Sequence, residues 1–368
     1  MRALTALAQP ILLTLEPERA HDLAIRSLRT GLYPRAVTAP GSPLRTRCFG
    51  LTFPNPLGMA AGFDKNAEVP DALIDAGFGF AEVGTVTPRP QMGNPRPRVF
   101  RLMQDRAVIN RLGFNNEGHE PVHRRLRRYT RNTAAKRIIG VNIGANKDSE
   151  DRIADYVLGI IRFADVASYL TINISSPNTP GLRALQGGED LERLLSEAVT
   201  ARDKAAQHRG HPIPLLLKIA PDLDGEGLQA VCAGVERCGI DGMIVSNTTL
   251  SRQGLRGRKM AEEEGGLSGA PLFERSTIML ARTYQLTGGR VPLIGVGGIS
   301  SGADAWTKIR AGASLIQLYT GLIYGGFGLV EDILETLRSS LSSEGFGTIA
   351  DAVGQDAGTW AARTAEPA

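Results

Sequence analysis

The sequence predicts an α/β fold, a closed (β/α)8 TIM barrel with a small two-helix extension at its amino terminus. Three observations carry that prediction. From residue 57 onward, short runs rich in Val, Ile and Leu recur, each ending in small or polar residues, as strands buried on both faces do. A longer helical pattern follows each run, and eight such units over roughly 280 residues fit the usual barrel of about 250 residues with insertions. The 368 residues are 42% hydrophobic and 22% charged, which suits one large α/β domain or two smaller ones and excludes a disordered chain. Repeat counting alone leaves an open doubly wound sheet as the alternative.

Residues 1–40 read as the extension. Two short helices carry apolar stripes, Leu4, Leu7, Ile11 and Leu12, then Leu23, Ile25, Leu28 and Leu32. The second opens after Leu15, with Glu16, Pro17 and Glu18 in its first turn, where Pro and acidic residues suit a helix start. Such stripes either pack on the barrel or lie on a membrane surface. The barrel follows over residues 41–341. Its strands are read at Pro56–Ala60, Phe80–Thr85, Arg137–Ile143, Tyr169–Ile174, Pro214–Ile219, Gly242–Ser246, Pro292–Val296 and Ser314–Tyr319. Helices are read at Glu68–Ala76, Pro121–Arg131, Asp151–Val166, Asp190–His208, Gly225–Cys238, Pro271–Gln285, Gly302–Ala311 and Gly328–Leu341. The insertion Thr87–Glu120 carries Pro88, Pro90, Pro95 and Pro97 and is too long for a simple connection, so it reads as a lid or ligand clamp. Residues 342–368, rich in Gly, Ala and Ser, read as a surface tail.

Composition removes several function classes. A net charge of +4 is small, and the basic run Arg124–Arg137 alternates with apolar residues as a solvated helix face does, so nucleic-acid binding is not expected. Three cysteines without CxxC spacing argue against a disulfide framework or a thiolate zinc site, and for a reducing compartment. The longest uncharged apolar run, Ala3–Leu15, is interrupted by Gln9 and Pro10 and is too short to span a bilayer. His119-Glu-Pro-Val-His123 matches a zinc-helix pattern, but Pro121 belongs in a first helical turn, which would leave His119 before the helix. No metal is expected.

Chemistry in such a barrel occupies the carboxyl ends of the strands. Those ends hold Asp64 and Lys65, Thr85, Asn142, Asn173 with Ser176 and Asn178, Lys218, Ser246 with Asn247 and Thr248, Gly297 and Gly298, then Tyr319 and Thr320. Carboxylates are scarce there, which disfavours a divalent-metal site and paired-carboxylate glycoside hydrolysis. Asn amides offer donors and an acceptor to the edge of a planar imide ring, and lysines tolerate an anion. Gly295–Ile299, followed by Ser300, Ser301 and Gly302 at a helix start, suits either a phosphate or a tight turn. Ser176 has no adjacent His and no nucleophile elbow, so a cofactor is expected to perform the hard step.

Several strings are specific. Asn-Pro-Leu-Gly-Met-Ala-Ala-Gly-Phe-Asp-Lys over 55–65, Gly84–Pro90, Asn110–Asn115, Asn173–Gly181, Gly265–Gly269, Gly295–Ile299 and Ala311–Tyr319 together resemble the dihydroorotate dehydrogenase family. The match runs in order through the whole barrel, and Leu15–Arg26 resembles the amino-terminal extension of the quinone-linked class 2 enzymes. That resemblance implies oxidation of dihydroorotate to orotate on FMN, in pyrimidine synthesis, by a peripheral protein on the cytoplasmic face of the cell membrane. Ser176, where class 1 enzymes carry Cys, would be the base that removes the C5 proton while hydride passes to flavin N5.

The resemblance also distributes ligands. Ala61, Gly62, Phe63, Asp64, Lys65, Thr85, Asn142, Asn173, Lys218, Ser246, Gly269, Gly298, Tyr319 and Thr320 would hold FMN. Lys65, Asn110, Arg111, Leu112, Gly113, Phe114, Asn173, Asn178, Asn247 and Thr248 would hold the orotate ring and its carboxylate. His21, Arg101 and Tyr319 match polar positions along a quinone route between the amino-terminal helices. Departures are few: Ser246 stands where many relatives carry Thr, and Phe63 replaces a common Leu.

Overall fold

The computed structural model describes residues 9–31, 33, 35–36, 42–132, 137–179, 181–256 and 258–364. Leu4, Leu7 and Leu32 of the predicted stripes, and the last four residues of the predicted tail, lie outside that set. Two short strands, β1 (Thr46–Cys48) and β2 (Leu51–Phe53), form an antiparallel hairpin ahead of the barrel. Then come β3 (Leu57–Met59), β4 (Phe80–Val86), β5 (Val99–Leu102), β6 (Ala107–Asn110), β7 (Ile139–Ile143), β8 (Tyr169–Asn173) and β9 (Leu215–Ile219). The series ends with β10 (Gly242–Val245), β11 (Gly266–Gly269), β12 (Leu293–Val296) and β13 (Leu315–Leu318). Eight of these close as a parallel barrel in the order β3-β4-β7-β8-β9-β10-β12-β13, and β13 pairs back with β3. Each predicted barrel strand is found within two residues at either end, and closure decides against the open sheet.

Period-two alternation sorts the barrel residues. One set, including Val83, Val141, Ile172, Leu217 and Ile316, joins the large core shared with the surrounding helices. The other set points inward, and its lowest layer is Phe80, Tyr169, Leu216, Ile244, Ile294 and Leu315, closed from below by Phe53 and Cys48 of the hairpin. Large rings fit there because facing strands supply glycines. A methyl at Gly58 would lie 2.3 Å from the Phe80 ring, and one at Gly140 would lie 2.1 Å from Tyr169. The next inward residues are polar, Glu82, Asn142, Thr171, Lys218 and Gln317, so the hydrophobic plug ends where the site begins.

Three segments differ from the sequence reading. The Thr87–Glu120 insertion contains β5 and β6, which pair antiparallel and take β11 as a third strand over the barrel mouth. Over residues 342–364 the carboxyl-terminal segment is no loose tail: helices Ile349–Ala352 and Ala357–Ala361 pack on the barrel, with Ile349 and Ala352 fully buried and Arg310 paired to Asp356. Alternating small residues hid that contact. The helix predicted from Pro121 starts at His119, so the imidazole belongs to the helix. His119 and His123 both lie against the Phe163 ring, and His123 reaches Asp165 at 2.9 Å.

The extension is helical over 9–14 and again over Pro17–Arg29. Glu16 caps the second helix by accepting from the Glu18 and Arg19 amides. Arg101 of β5 donates to the carbonyls of Leu13 and Leu15, tying the turn between the two helices to the sheet over the mouth. No described helix is long and apolar enough to cross a membrane.

Candidate active site

A single cavity of about 690 Å³ joins the barrel mouth to the space between the two amino-terminal helices. Its inner end is walled by the strand ends, by β6 and β11, and by the loop carrying Ser176. Its outer end is walled by Leu12, Leu15, Ala20, Leu23 and Leu28. One end is therefore polar and the other greasy.

The polar end is a hydrogen-bonded ring of side chains. Thr85 Oγ1 donates to Asn142 Oδ1 at 2.5 Å, and Asn173 Nδ2 reaches both Thr85 Oγ1 at 2.9 Å and Asn142 Oδ1 at 3.0 Å. Asn173 Oδ1 accepts from Ser175 Oγ at 2.8 Å, and Asn247 Nδ2 donates to the same hydroxyl at 2.8 Å. Asn178 Nδ2 faces Asn110 Oδ1 at 3.4 Å. Arg183 braces the ring from behind, bonded to the Ser175 and Thr248 carbonyls and to Asp222.

Charge at this end is cationic. Burial pushes the Lys65 ammonium down to about 8, while Glu18 and Asp22 hold it up. Burial also lowers Lys218, against the attraction of Glu82. Neither ammonium hydrogen-bonds to another described residue, although both face the cavity. Ser176 is 5% exposed, and its Oγ accepts from the Asn178 amide at 3.2 Å. No described histidine or carboxylate hydrogen-bonds to it. Towards the greasy end, the His21, Phe63 and Tyr319 rings meet edge to face with centroids 5.4 and 5.7 Å apart. Burial and the nearby Lys65 hold His21 down at about 3, so its imidazole is neutral at physiological pH, and burial pushes Tyr319 up to about 12.

The cavity gathers most of the residues the sequence singled out: Ala61, Gly62, Phe63, Lys65, Thr85, Asn110, Leu112, Gly113, Phe114, Asn173, Ser176 and Asn178 all line it. So do Lys218, Ser246, Asn247, Thr248, Gly269, Gly298, Tyr319, Thr320, His21 and Arg101. Three do not. Asp64 turns away and accepts from the Glu68 and Val69 amides, burial raising its carboxyl to about 6. Asn142 is fully buried and bonds to Glu82, Thr85 and Asn173 instead of lining the cavity, and Arg111 points outward to Glu263, over the Phe100 ring. Of the glycine run that suits either a phosphate or a tight turn, Gly297 and Gly298 line the cavity beside Tyr319, Thr320 and Gly321, while Ser301 caps the helix that follows and Asp304 accepts from the Ser300 amide.

Sequence reasoning missed Glu82, Gln317, Glu18 and Arg98. Glu82 and Gln317 carried a readable signal, a polar residue inside an apolar strand run at the inward parity. Arg98 is buried and holds Glu18 of the second helix at 2.8 Å, a pairing across 80 residues that no local pattern announces. Among the described residues no group of three or more His, Cys, Asp or Glu is arranged to hold a metal ion.

Comparison with known proteins agrees with this geometry. The sequence profile of the family described as Dihydroorotate dehydrogenase matches residues 43–341. Curated proteins named dihydroorotate dehydrogenase (quinone) from Brucella ovis and Brucella canis are 57% identical over 358 residues, covering 97% of this chain and 97% of theirs. Among solved structures, a DHODH from Eimeria tenella in complex with ferulenol superposes with a TM-score of 0.89 at 39% identity, over 94% of this chain and 98% of that one. Its ligand-free form gives 0.88 at 40% identity, over 92% and 99%. With fold, cavity and sequence in agreement over nearly the whole length, the chain belongs to the dihydroorotate dehydrogenase family, a family of oxidoreductases.

Proposed function

We propose that the protein oxidises dihydroorotate to orotate on a bound FMN and passes the electrons to a membrane quinone, as a step of pyrimidine biosynthesis. The observation that carries this reading is the two-ended cavity: amides, hydroxyls and ammonium groups at one end, an apolar corridor at the other. A polar acid and a lipid-soluble acceptor can each approach one buried group from its own side.

The residues fit a flavin. The volume lies within the roughly 300–1,000 Å³ of small-molecule sites. Lys218 and Gln317 Oε1 offer a cation and an acceptor at the cavity floor, neither hydrogen-bonded to another described residue. Gly297, Gly298, Thr320 and Gly321 would hold the phosphate, and Ala61, Gly62, Thr85, Asn173, Ser246 and Gly269 the ring system. FMN, when bound, would supply the two-electron acceptor for the C6 hydride. Lys218 would offer a positive charge that favours added negative charge on such a ring. Ser176 Oγ would take the C5 proton as its own hydroxyl proton passes through a water relay to solvent, and its loop, with Ser176 5% exposed, shields the reacting edge. Asn110, Asn173, Asn178 and Asn247 hold the pyrimidine edge, and Lys65 pairs with its carboxylate. His21 and Tyr319 line the quinone's approach, and residues 1–40 set the protein on the cytoplasmic face of the membrane.

The test is a visible spectrum with extraction of the chromophore. The expected protein is yellow and releases one FMN per chain. A colourless protein that takes up no FMN on reconstitution would refute the proposal.

A further inference from the structure

Glu82 lies inside the barrel, fully buried, and meets the amide ring at Asn142. Its Oε2 accepts from Tyr169 Oη at 3.0 Å, Thr171 Oγ1 at 3.2 Å and Gln317 Nε2 at 3.0 Å, and its Oε1 accepts from Asn142 Nδ2 at 2.8 Å. A carboxylate accepts only, whereas an Asn amide can face either way. Against Glu82, Asn142 must present its amino group. Its Oδ1 is then committed to the Thr85 hydroxyl and Asn173 Nδ2.

That commitment propagates. With its amino group turned to Asn142 and Thr85, Asn173 must point Oδ1 at Ser175 and Asn247. Asn247 in turn presents its amino group to Ser175 and its Oδ1 to the Thr248 amide. A reversed Asn142 would set oxygen against the carboxylate and leave two buried donors facing each other, at about 1–3 kcal/mol for each unmade bond.

We propose that Glu82 is a positioning residue: its carboxylate fixes the donor and acceptor direction of the Asn142, Thr85, Asn173 and Asn247 ring, and so the pattern presented to the pyrimidine acid. This deepens the function proposed above and rests on it. The same carboxylate is the charge that favours the ammonium form of Lys218.

The test is a carboxylate and amide swap across the 2.8 Å bond, read by orotate titration of the FMN-loaded enzyme through the flavin spectrum. In Glu82→Gln the amide oxygen stays with the three donors at Oε2, so its amino group faces Asn142 and reverses it. Orotate binding, read on the FMN-loaded fraction, is expected to weaken by about tenfold or more. Glu82→Gln with Asn142→Asp restores every donor direction and is expected to bind within about threefold of wild type. A merely space-filling Glu82 would tolerate the near-isosteric Gln and gain nothing from the second change. Wild-type affinity in Glu82→Gln, or a double variant more than about tenfold weaker than wild type, overturns the inference. If Glu82→Gln does not fold, the double variant is judged against wild type by the same limits. A wild-type protein holding neither FMN nor orotate fails the proposed function and removes this inference with it.

Discussion

Lys65 makes the pH dependence of substrate binding calculable. Its ammonium is drawn down from 10.5 to about 8, first by burial and then by Arg98, against the pull of Glu18, Asp22 and Asp64. The proposed pairing with the pyrimidine carboxylate needs the protonated form, so affinity is full at low pH and lost as pH rises through the free-enzyme value. At one unit above it roughly a tenth of the chains remain protonated, and the apparent orotate Kd rises about tenfold, or 1.4 kcal/mol. The assay is orotate titration of the oxidised FMN-loaded enzyme across that interval. Lys65→Met should bind weakly at every pH, with no break. Glu18→Gln removes the largest attractive charge and releases the neighbouring Arg98, so it should move the break to lower pH. A wild-type Kd that stays flat through pH 9, or a break that survives in Lys65→Met, would refute the reasoning.

Three further outcomes are expected. Ser176→Ala should keep FMN and orotate, yet slow flavin reduction by dihydroorotate by about 10²–10⁴, the usual contribution of a positioned base; stopped-flow absorbance checks it. Arg101→Met frees the Leu13 and Leu15 carbonyls and loosens the corridor, so the quinone KM should rise while reduction by dihydroorotate is spared; equal losses in both half-reactions would contradict that. Ile349→Ala should cost about 2–5 kcal/mol in denaturant unfolding, because the side chain is fully buried beneath the barrel's outer helices.

The barrel was legible because strands buried on both faces leave predominantly apolar runs, and eight of them survived errors of a residue or two. The site was largely legible for a related reason: side chains at strand ends share one mouth whatever the loop lengths. The three-stranded sheet was not, because β5, β6 and β11 are four residues each and β11 joins β6 only across more than 150 residues. Nor was the docked carboxyl-terminal segment, whose contacts are made by Ala352 and Ala357 as much as by Ile349. Glu82 was visible as a charge in an apolar strand, but only barrel closure, which brings Asn142 and Thr171 within hydrogen-bond reach of it, gives that charge meaning.

The central claim is that one cavity serves a polar donor and a lipid-soluble acceptor in turn. Anaerobic rapid mixing tests it most directly: dihydroorotate should bleach the bound flavin in one step, and a ubiquinone analogue added afterwards should restore the colour, each fast enough to account for steady turnover. Bleaching without reoxidation by quinone, or no bleaching at all, would contradict it.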